Sequence, residues 1–346
     1  MNLSSCLEAE RVLVNGRFIV TQAVVACLNV CGIVLCVYVT ALIAISQVLH
    51  LNLRILLVNL SALLCLRSAL TLNRSTVSIF EAFTYKNSCD LVKEAESCKA
   101  YSAIAAAPYE SLVFAFIGIS IERCLATIAY KHYEKWKFPF AAVVLAPITW
   151  INIALIISKS IGKKMPERVL YRPYCSTVTT GYVDFSKLFN YNIPVIIVSF
   201  LLFLAVYIIC KRKLRLFIAS KIDDLSSRYQ LVENVKSTKV LAILSSIYTV
   251  LVLLTLGAVV AISYMHITDL AEFAIIKEIS SFSMPIYINV HSIVFLTQCQ
   301  HIRLRAVRLF RRRPFTERKM GTSVAPVMSA KQHMDLLEQM WSTANK

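Results

Sequence analysis

The chain has 346 residues, of which 57% are hydrophobic and only 16% are charged. A soluble domain carries about 25% charged residues, so the composition excludes an ordinary soluble protein. The formal net charge is +17, which is compatible with either a nucleic-acid partner or a membrane surface. The positions of the basic residues decide between the two.

Seven apolar runs follow one another along the chain, each long enough to cross a bilayer as a helix. They cover 18–47, 52–73, 99–130, 138–161, 188–210, 239–264 and 272–298. Only helices and closed barrels satisfy their backbone polar groups in lipid, so the runs predict an all-α membrane protein with a bundle of seven transmembrane helices. We divide the chain into an N-terminal segment 1–17, the bundle 18–298, a juxtamembrane segment 299–313 and a tail 314–346.

The basic residues lie mainly on one side of the predicted membrane. The side that holds the C-terminus has 23 Lys and Arg residues, counted over connections, span ends and tail, against 11 on the other side. The positive-inside rule therefore predicts an external N-terminus and a cytoplasmic C-terminus. Anionic lipid of the inner leaflet is then the expected partner of the basic surface, and a nucleic-acid partner is not expected. Because residues 1–17 are polar and mixed, we expect the first run to act as its own insertion signal.

The third span has chemistry at both ends. Cys98 lies 25 residues before Arg123, a length of about 37 Å in a helix, which matches one bilayer core plus interface. Glu122 and Arg123 form either an interfacial pair whose arginine reaches lipid phosphates or a conformational latch. We favour the latch, in which acids hold Arg123 at rest and release it to meet a cytoplasmic partner. Glu233, near the start of the sixth span, is the candidate second acid.

Four charged residues lie within the spans, where charge is costly unless it faces the bundle or water. We expect Arg67, Glu110, Lys277 and Glu278, together with Tyr109, to line a polar cavity that opens outwards and binds a small molecule. The alternative is that these groups pair with one another only to stabilise the bundle.

Cysteines and a sequon mark the predicted outer side. Cys98 and Cys175 form the preferred disulfide, but Cys89 could pair with Cys98 or with Cys6, and spacing alone does not settle the connectivity. Asn2 begins an Asn-Leu-Ser sequon and is the expected glycosylation site. On the inner side, Ile302, Ala306, Leu309 and Phe310 fall on one face of a basic amphipathic helix expected to lie on the membrane.

Signatures of other functions are missing from the sequence. It has no HExxH zinc motif, no phosphate-binding P-loop and no GxSxG nucleophile motif, so neither an enzyme nor a cofactor or metal site is expected. A ligand-gated channel or transporter with seven spans is the rival class, although no span carries a filter-like sequence.

The chain resembles rhodopsin-like G-protein-coupled receptors in the arrangement of Cys98, Glu122-Arg123 and Cys175. Two further segments, 121–127 (IERCLAT) followed by Tyr133-Glu134, and 227–234 (SRYQLVEN), are similar to nematode serpentine chemoreceptors of the Sra superfamily, with the Sre and Srab branches most alike. The resemblance covers roughly 18–313. It implies a chemosensory receptor in the plasma membrane of sensory neurons that binds an external small molecule and activates a heterotrimeric G protein.

The chain also departs from the rhodopsin-like pattern. The second span has no central aspartate, the sixth has no proline, and the seventh carries Pro285-Ile-Tyr287 and Asn289 instead of Asn-Pro-x-x-Tyr. Activation through Arg123 is therefore expected alongside different switches in the seventh helix.

Overall fold

The computed structural model describes residues 3–46, 49–129, 133, 138–162, 171–176, 193–219, 225–264, 267 and 269–310. The described part is almost entirely helical. Its ten α-helices are α1 (Leu3–Leu13), α2 (Gly16–Ile45), α3 (Leu51–Thr84), α4 (Ala95–Ile128), α5 (Phe140–Gly162), α6 (Ile193–Ala219), α7 (Leu225–Tyr264), α8 (Leu270–Ser280), α9 (Ser283–Gln298) and α10 (Gln300–Phe310). A short 3₁₀ turn covers Ser88–Leu91, and two-residue strands β1 (Lys93–Glu94) and β2 (Tyr171–Arg172) pair antiparallel.

Seven helical segments are long and apolar enough to cross a membrane, which confirms the predicted seven-helix bundle. They are α2 to α7 and the combined segment of α8 and α9. Large apolar side chains on their outer faces are exposed, among them Val34 and Leu254, each 64% exposed. Such residues are suited to contact with lipid tails, which are as apolar as the side chains themselves.

Several helices continue beyond their apolar runs. Helix α3 continues to Thr84 instead of residue 73, and α7 begins at Leu225 instead of residue 239. Residues 211–238 lie between the fifth and sixth predicted runs, yet most of them are helical, because α6 continues to Ala219 and α7 begins at Leu225. Neither 74–84 nor 211–238 contains Pro or Gly, and Lys, Arg, Gln, Glu and Leu are good helix formers. An apolar run thus indicates which part of a helix lies in lipid, but it does not locate the residues at which the helix begins and ends.

The seventh span is interrupted by a turn at Ser281–Phe282. Pro285 follows directly, and since proline has no backbone N–H it cannot donate to the carbonyl of Ser281. The backbone turns instead through bonds from Ser281 N to Glu278 O and from Phe282 N to Ile279 O, both at 3.1 Å. Irregular backbone at membrane depth is tolerated where it is buried in protein or lines a cavity.

Close helix packing and buried polar bonds hold the bundle together. Helix α2 meets α9 at Gly32, where an added Cβ would lie 2.4 Å from Ile288 Cγ2. Beside it, Asn289 Nδ2 donates to Leu28 O at 2.9 Å. Between α3 and α5, the side chain of Asn59 accepts from Trp150 Nε1 at 2.8 Å. Interhelical bonds of this kind add stability where lipid offers no competing partner.

The helix after the seventh span matches the predicted amphipathic segment in its first half. Ile302 and Ala306 are 2% and 7% exposed, and Arg305 Nη1 donates to Ile45 O at 2.9 Å. Residues 311–313, the tail 314–346 and most of the connection 130–137 lie outside the described part of the chain.

Candidate functional site

The pair Glu122–Arg123 lies near the end of α4, and both side chains are buried, with exposed fractions of 0% and 3%. Arg123 Nε donates to Glu122 Oε2 and Nη2 donates to Oε1, each at 2.5 Å. Tyr133 Oη also donates to Glu122 Oε1. Burial, and then the Glu122 carboxylate, raise the pKa of Tyr133. The phenol therefore stays protonated and remains a donor.

The remaining nitrogen of the Arg123 guanidinium reaches α7. Arg123 Nη1 donates to Asn234 Oδ1 at 3.3 Å and to Ser237 Oγ at 3.1 Å. Asn234 Nδ2 donates back to Ala126 O on α4 at 3.3 Å. Helices α4 and α7 are thus joined at this end of the bundle. We call Glu122, Arg123, Tyr133, Asn234 and Ser237 the arginine clamp, and the end that holds it the arginine end.

The sequence offered Glu233 as the second acid beside Arg123. The bonds that the structure shows from Arg123 to α7 go to the amide of Asn234 and the hydroxyl of Ser237. Glu233 contributes its main-chain carbonyl, which accepts from Ser237 Oγ at 2.9 Å. A neutral amide binds a guanidinium less strongly than a carboxylate does, so this bridge can open at lower cost than an ion pair. The role of Glu233 as a second carboxylate stays a prediction.

Helix α6 reaches the same end of the bundle. Lys213 Nζ donates to Thr127 O at 3.0 Å, and Thr127 Oγ1 lies 2.9 Å from Cys210 Sγ. Three helices, α4, α6 and α7, therefore converge around the last turn of α4.

Two disulfides lie at the opposite end of the bundle, which we call the disulfide end. One joins Cys98 to Cys175, and the other joins Cys6 to Cys89. Of the two partners that the sequence left open for Cys89, the structure has Cys6. Both bridges connect segments between the helices to a helix of the molecule, one to α4 and the other to α1.

The N-terminal helix α1 packs across the disulfide end. Its inward face carries Cys6, Ala9 and Val12, each at most 1% exposed, and this face joins one apolar cluster with Leu91, Val92, Tyr174 and Ala274. We call residues 3–13, 85–94 and 171–176 the cap.

Polar bonds at the rim of the cap fix its position. Glu10 accepts from Ser88 Oγ at 2.5 Å and from Tyr85 Oη at 3.0 Å, and these bonds lower the pKa of Glu10. Arg11 Nη2 forms an ion pair with Asp269 Oδ2 at 3.1 Å. Within the cap, α1 is therefore bonded to the segment after α3, and the cap as a whole is attached to the start of α8.

Beneath the cap lies a cluster of charges centred on Glu278. Its carboxylate accepts from Arg74 Nη2 at 2.5 Å, from Lys277 Nζ at 2.8 Å and from Tyr174 Oη. Lys277 and Glu278 are 5% and 0% exposed. Burial, and then the Glu278 carboxylate, raise the pKa of Tyr174, which keeps its hydroxyl a donor. One carboxylate thus connects α3, α8 and the cap.

The structure brings most of the predicted pocket residues into one region. Arg67 lies two turns before Arg74 on α3, and its Nη1 donates to Ala105 O on α4. The Tyr109 hydroxyl lies within electrostatic range of the Arg67 guanidinium. Glu110 follows Tyr109 on α4, and both are half-buried. Since α3 continues to Thr84, beyond the end of the apolar run at residue 73, Arg67 lies seventeen residues before the helix end.

Two residues of this cluster were missed at sequence level. Arg74 was assigned to a loop because the apolar run ends at residue 73, although the seven-residue spacing from Arg67 puts both on one helix face. Tyr174, one residue before Cys175, carried no sequence signal of its own. The predicted glycosylation site Asn2 lies outside the described residues.

Comparison with known proteins relates this geometry to a family. A family described as serpentine type 7TM GPCR receptor class ab chemoreceptor matches residues 11–312. The chain belongs to this family. Of the two branches that the sequence suggested, class ab is the one that matches.

Two Caenorhabditis elegans proteins are similar to this class ab receptor over much of their length. "Serpentine receptor class alpha/beta-14" is 26% identical over 328 residues, covering 86% of this chain and 82% of the relative. "Probable G-protein coupled receptor F27E5.8" is 24% identical over 247 residues, covering 69% of this chain and 63% of the relative. The receptor is thus a multi-pass membrane protein of a non-enzyme class.

Proposed function

We propose that this receptor is a chemosensory protein of the plasma membrane of sensory neurons. A small external molecule binds at the disulfide end, and a heterotrimeric G protein binds at the arginine end. Membership in the serpentine receptor family supports the general class, a G-protein-coupled receptor. The finer assignment rests on two polar sites at opposite ends of one bundle.

The arginine clamp is the observation that carries this proposal. It joins α4 to α7 through Arg123 Nη1. Among the bonds described above, this nitrogen donates on α7 to the neutral amide of Asn234 and the hydroxyl of Ser237. Ligand binding that favours a bundle with α7 moved outwards would break two moderate hydrogen bonds and leave the Glu122–Arg123 pair intact. A ligand can shift such an equilibrium only by its difference in affinity for the two states.

The other elements of the arginine end supply a surface for the partner. Helix α6 carries Lys211, Arg212, Lys213 and Arg215 close to the clamp. An opened clamp would place the Arg123 guanidinium, with five donors in a fixed fork, beside this basic stretch. The Arg123 guanidinium and the basic stretch of α6 can both donate to main-chain carbonyls at the end of a G-protein helix and to acidic side chains.

The test is nucleotide exchange by purified heterotrimers added to the reconstituted full-length receptor. The receptor should accelerate exchange on at least one Gα class without added ligand and further with an active compound from a screen of odorants and small metabolites. Arg123→Ala should reach the membrane yet lose both rates. Arg17→Ala removes an exposed arginine at the start of α2, far from the clamp, and serves as the matched control.

Two results would contradict the proposal. Unchanged exchange by Arg123→Ala would remove the clamp from the mechanism. Ligand-dependent ion flux through receptor vesicles that contain no G protein would favour the rival channel or transporter.

A further inference from the structure

Among the residues that the structure describes beneath the cap, cations outnumber carboxylates. Arg67, Arg74 and Lys277 converge there, whereas Glu278 is the carboxylate that they surround. Counting Glu110 on α4 still leaves three cations to two carboxylates. Buried charges of one sign are costly unless a partner balances them. The region therefore favours an added negative charge.

Of the three cations, Arg67 is the one whose described hydrogen bond goes to a neutral group. Arg74 and Lys277 each donate to Glu278, while the recorded bond of Arg67 goes to the neutral carbonyl of Ala105. Its Nε is buried and has no hydrogen-bond partner among the described residues. A guanidinium presents paired N–H groups in a planar fork that fits both oxygens of a carboxylate.

Three tyrosine hydroxyls inside the bundle are further polar groups that lack a hydrogen-bond partner among the described residues. The hydroxyls of Tyr109, Tyr248 and Tyr287 are buried without partners in the described part of the chain. Tyr109 lies within electrostatic range of Arg67, and Tyr248 within range of both Tyr109 and Tyr287. Buried donors without partners are uncommon, and a ligand group at such a place relieves a cost of the free site.

The walls beside these hydroxyls are apolar and aromatic. The Phe116 ring lies 4.8 Å from that of Tyr248, and Tyr248 lies 5.2 Å from Tyr287, centre to centre. A ligand that extends from Arg67 towards Tyr248 would therefore have a charged end and an apolar body. The backbone break at Ser281–Phe282 lies within one turn of Lys277 and Glu278, at the same level of the seventh span.

Building on the proposed receptor function, we propose that the ligand is a small organic acid. Its carboxylate pairs with the fork of Arg67 and accepts from Tyr109, and its apolar part packs against Tyr248 and Phe116. The three cations disfavour amines, and a neutral ester or alcohol leaves Arg67 uncompensated. The specificity thus comes from charge and not from the length of the apolar part.

The test compares ligands that share one apolar part and differ in the charge and chemistry of the polar end. Purified full-length receptor in lipid nanodiscs is heated with octanoate, methyl octanoate, 1-octanol or octylamine, and the same comparison is made with phenylacetate and its methyl ester. The acids should raise the unfolding temperature and bind at least about tenfold more tightly than their esters. Arg67→Gln should remove this preference, and Arg67→Lys should retain part of it. Arg17→Gln is the matched control and should behave as the unchanged receptor.

Three outcomes of the binding measurements overturn the inference. Esters or amines that bind as well as the acids, no binding by any acid of the panel, or an acid preference that survives in Arg67→Gln would do so. If Arg67→Gln does not reach the membrane, two other measurements decide whether the inference holds. They are the loss of acid affinity in Tyr109→Phe and the preference of the unchanged receptor for acids over esters. Because binding is measured without a G protein, acid binding without nucleotide exchange would contradict only the coupling. Exchange stimulated by neutral compounds alone would contradict only the ligand class.

Discussion

Glu122 and Arg123 are neighbours in sequence, and both are buried at the arginine end. Removing either one leaves an uncompensated buried charge, which costs about 3–5 kcal/mol. A loss of signalling in such a variant therefore counts only together with a measurement of its delivery to the membrane. Tyr133 is a milder point of intervention, because its hydroxyl donates to Glu122 while its ring packs 4.2 Å from the His50 ring, centre to centre, and remains after hydroxyl removal.

We predict that Tyr133→Phe raises ligand-independent signalling. The change removes one hydrogen bond to a carboxylate, worth about 1.5–3 kcal/mol. The Glu122–Arg123 pair is then held less firmly in the position from which Arg123 Nη1 reaches Asn234 and Ser237. If half of that energy favours the closed clamp, the equilibrium shifts by roughly three- to tenfold, since 1.4 kcal/mol corresponds to a factor of ten. Basal nucleotide exchange by the reconstituted receptor measures the effect.

Tyr85→Phe is the control for this prediction. It removes the same kind of bond, from a tyrosine hydroxyl to the Glu10 carboxylate, but at the disulfide end. Basal exchange should stay unchanged in this variant. A fall in basal exchange with Tyr133→Phe would mean that the hydroxyl supports the active and not the resting arrangement.

Sequence reasoning reached the anchors of both sites but not the residues that complete them. Arg123, Glu278 and Lys277 were found because charge in an apolar run is costly and so conspicuous. Asn234 and Tyr133 were present only as letters of family-like motifs, since polar residues near a membrane boundary carry no such signal. Their contacts with Arg123 and Glu122 depend on how three chain segments meet, which one sequence does not state.

At the scale of elements, the contact of α2 with α9 depends on Gly32. A Cβ there would lie 2.4 Å from Ile288 Cγ2, and the β-branched Ile288 has little rotamer freedom on a helix. We predict that Gly32→Ala separates the two helices and costs about 1–3 kcal/mol of stability, as overpacking does. The unfolding temperature of the purified receptor should fall.

Gly257→Ala provides the comparison for Gly32→Ala. Gly257 lies on α7, and a Cβ built there meets nothing within 4 Å, so this variant should match the unchanged receptor or exceed it slightly through helix propensity. Equal unfolding temperatures for the two variants would show that α2 and α9 are not packed as closely as described.

The cap is the second element whose attachment can be measured. The Cys6–Cys89 bridge spans 83 residues of sequence, for which the chain-entropy account gives about 4 kcal/mol. Membrane helices already restrict the unfolded chain, so the effect should be smaller. We predict that Cys6→Ser and Cys89→Ser each lower the unfolding temperature and that the double variant is no worse than either one.

Non-additivity of this kind identifies the pairing. Cys6→Ser combined with Cys98→Ser breaks both bridges and should be clearly worse than either change alone. Cys27→Ser replaces an exposed free cysteine of α2 and should have no effect. Additive losses for Cys6→Ser with Cys89→Ser would contradict the bridge between them.

The order and number of the spans were predictable, because only a long apolar helix can cross lipid without exposing polar backbone groups. The length of an apolar run therefore indicates whether it crosses the membrane. The ends of α3, α6 and α7 were not predictable, since helices continue into water wherever the residues allow it. The cap was also missed as a structured element, because α1 has only eleven residues and such a short helix depends on its partners for stability.

At the scale of the whole molecule, charge distinguishes the two ends. The arginine end carries the basic stretch of α6 and the first arginines of α10. Counted over connections, span ends and tail, its side has 23 Lys and Arg residues against 11 on the other. This asymmetry predicts that the arginine end faces the cytosol. The two disulfides suggest the same orientation independently, because disulfides persist in oxidising compartments.

Glycosylation at Asn2 tests this orientation, since the transferase acts on the lumenal side. We predict a glycan on the expressed receptor that an endoglycosidase removes and that Ser4→Ala abolishes, because Ser4 completes the sequon. Ser5→Ala changes the adjacent serine, keeps the sequon and should leave the glycan in place. An acceptor sequon added after Lys346 should stay unmodified, since seven crossings put the two termini on opposite sides. Modification of the added sequon, with none at Asn2, would invert the molecule and place the arginine clamp outside the cell, where no G protein could reach it.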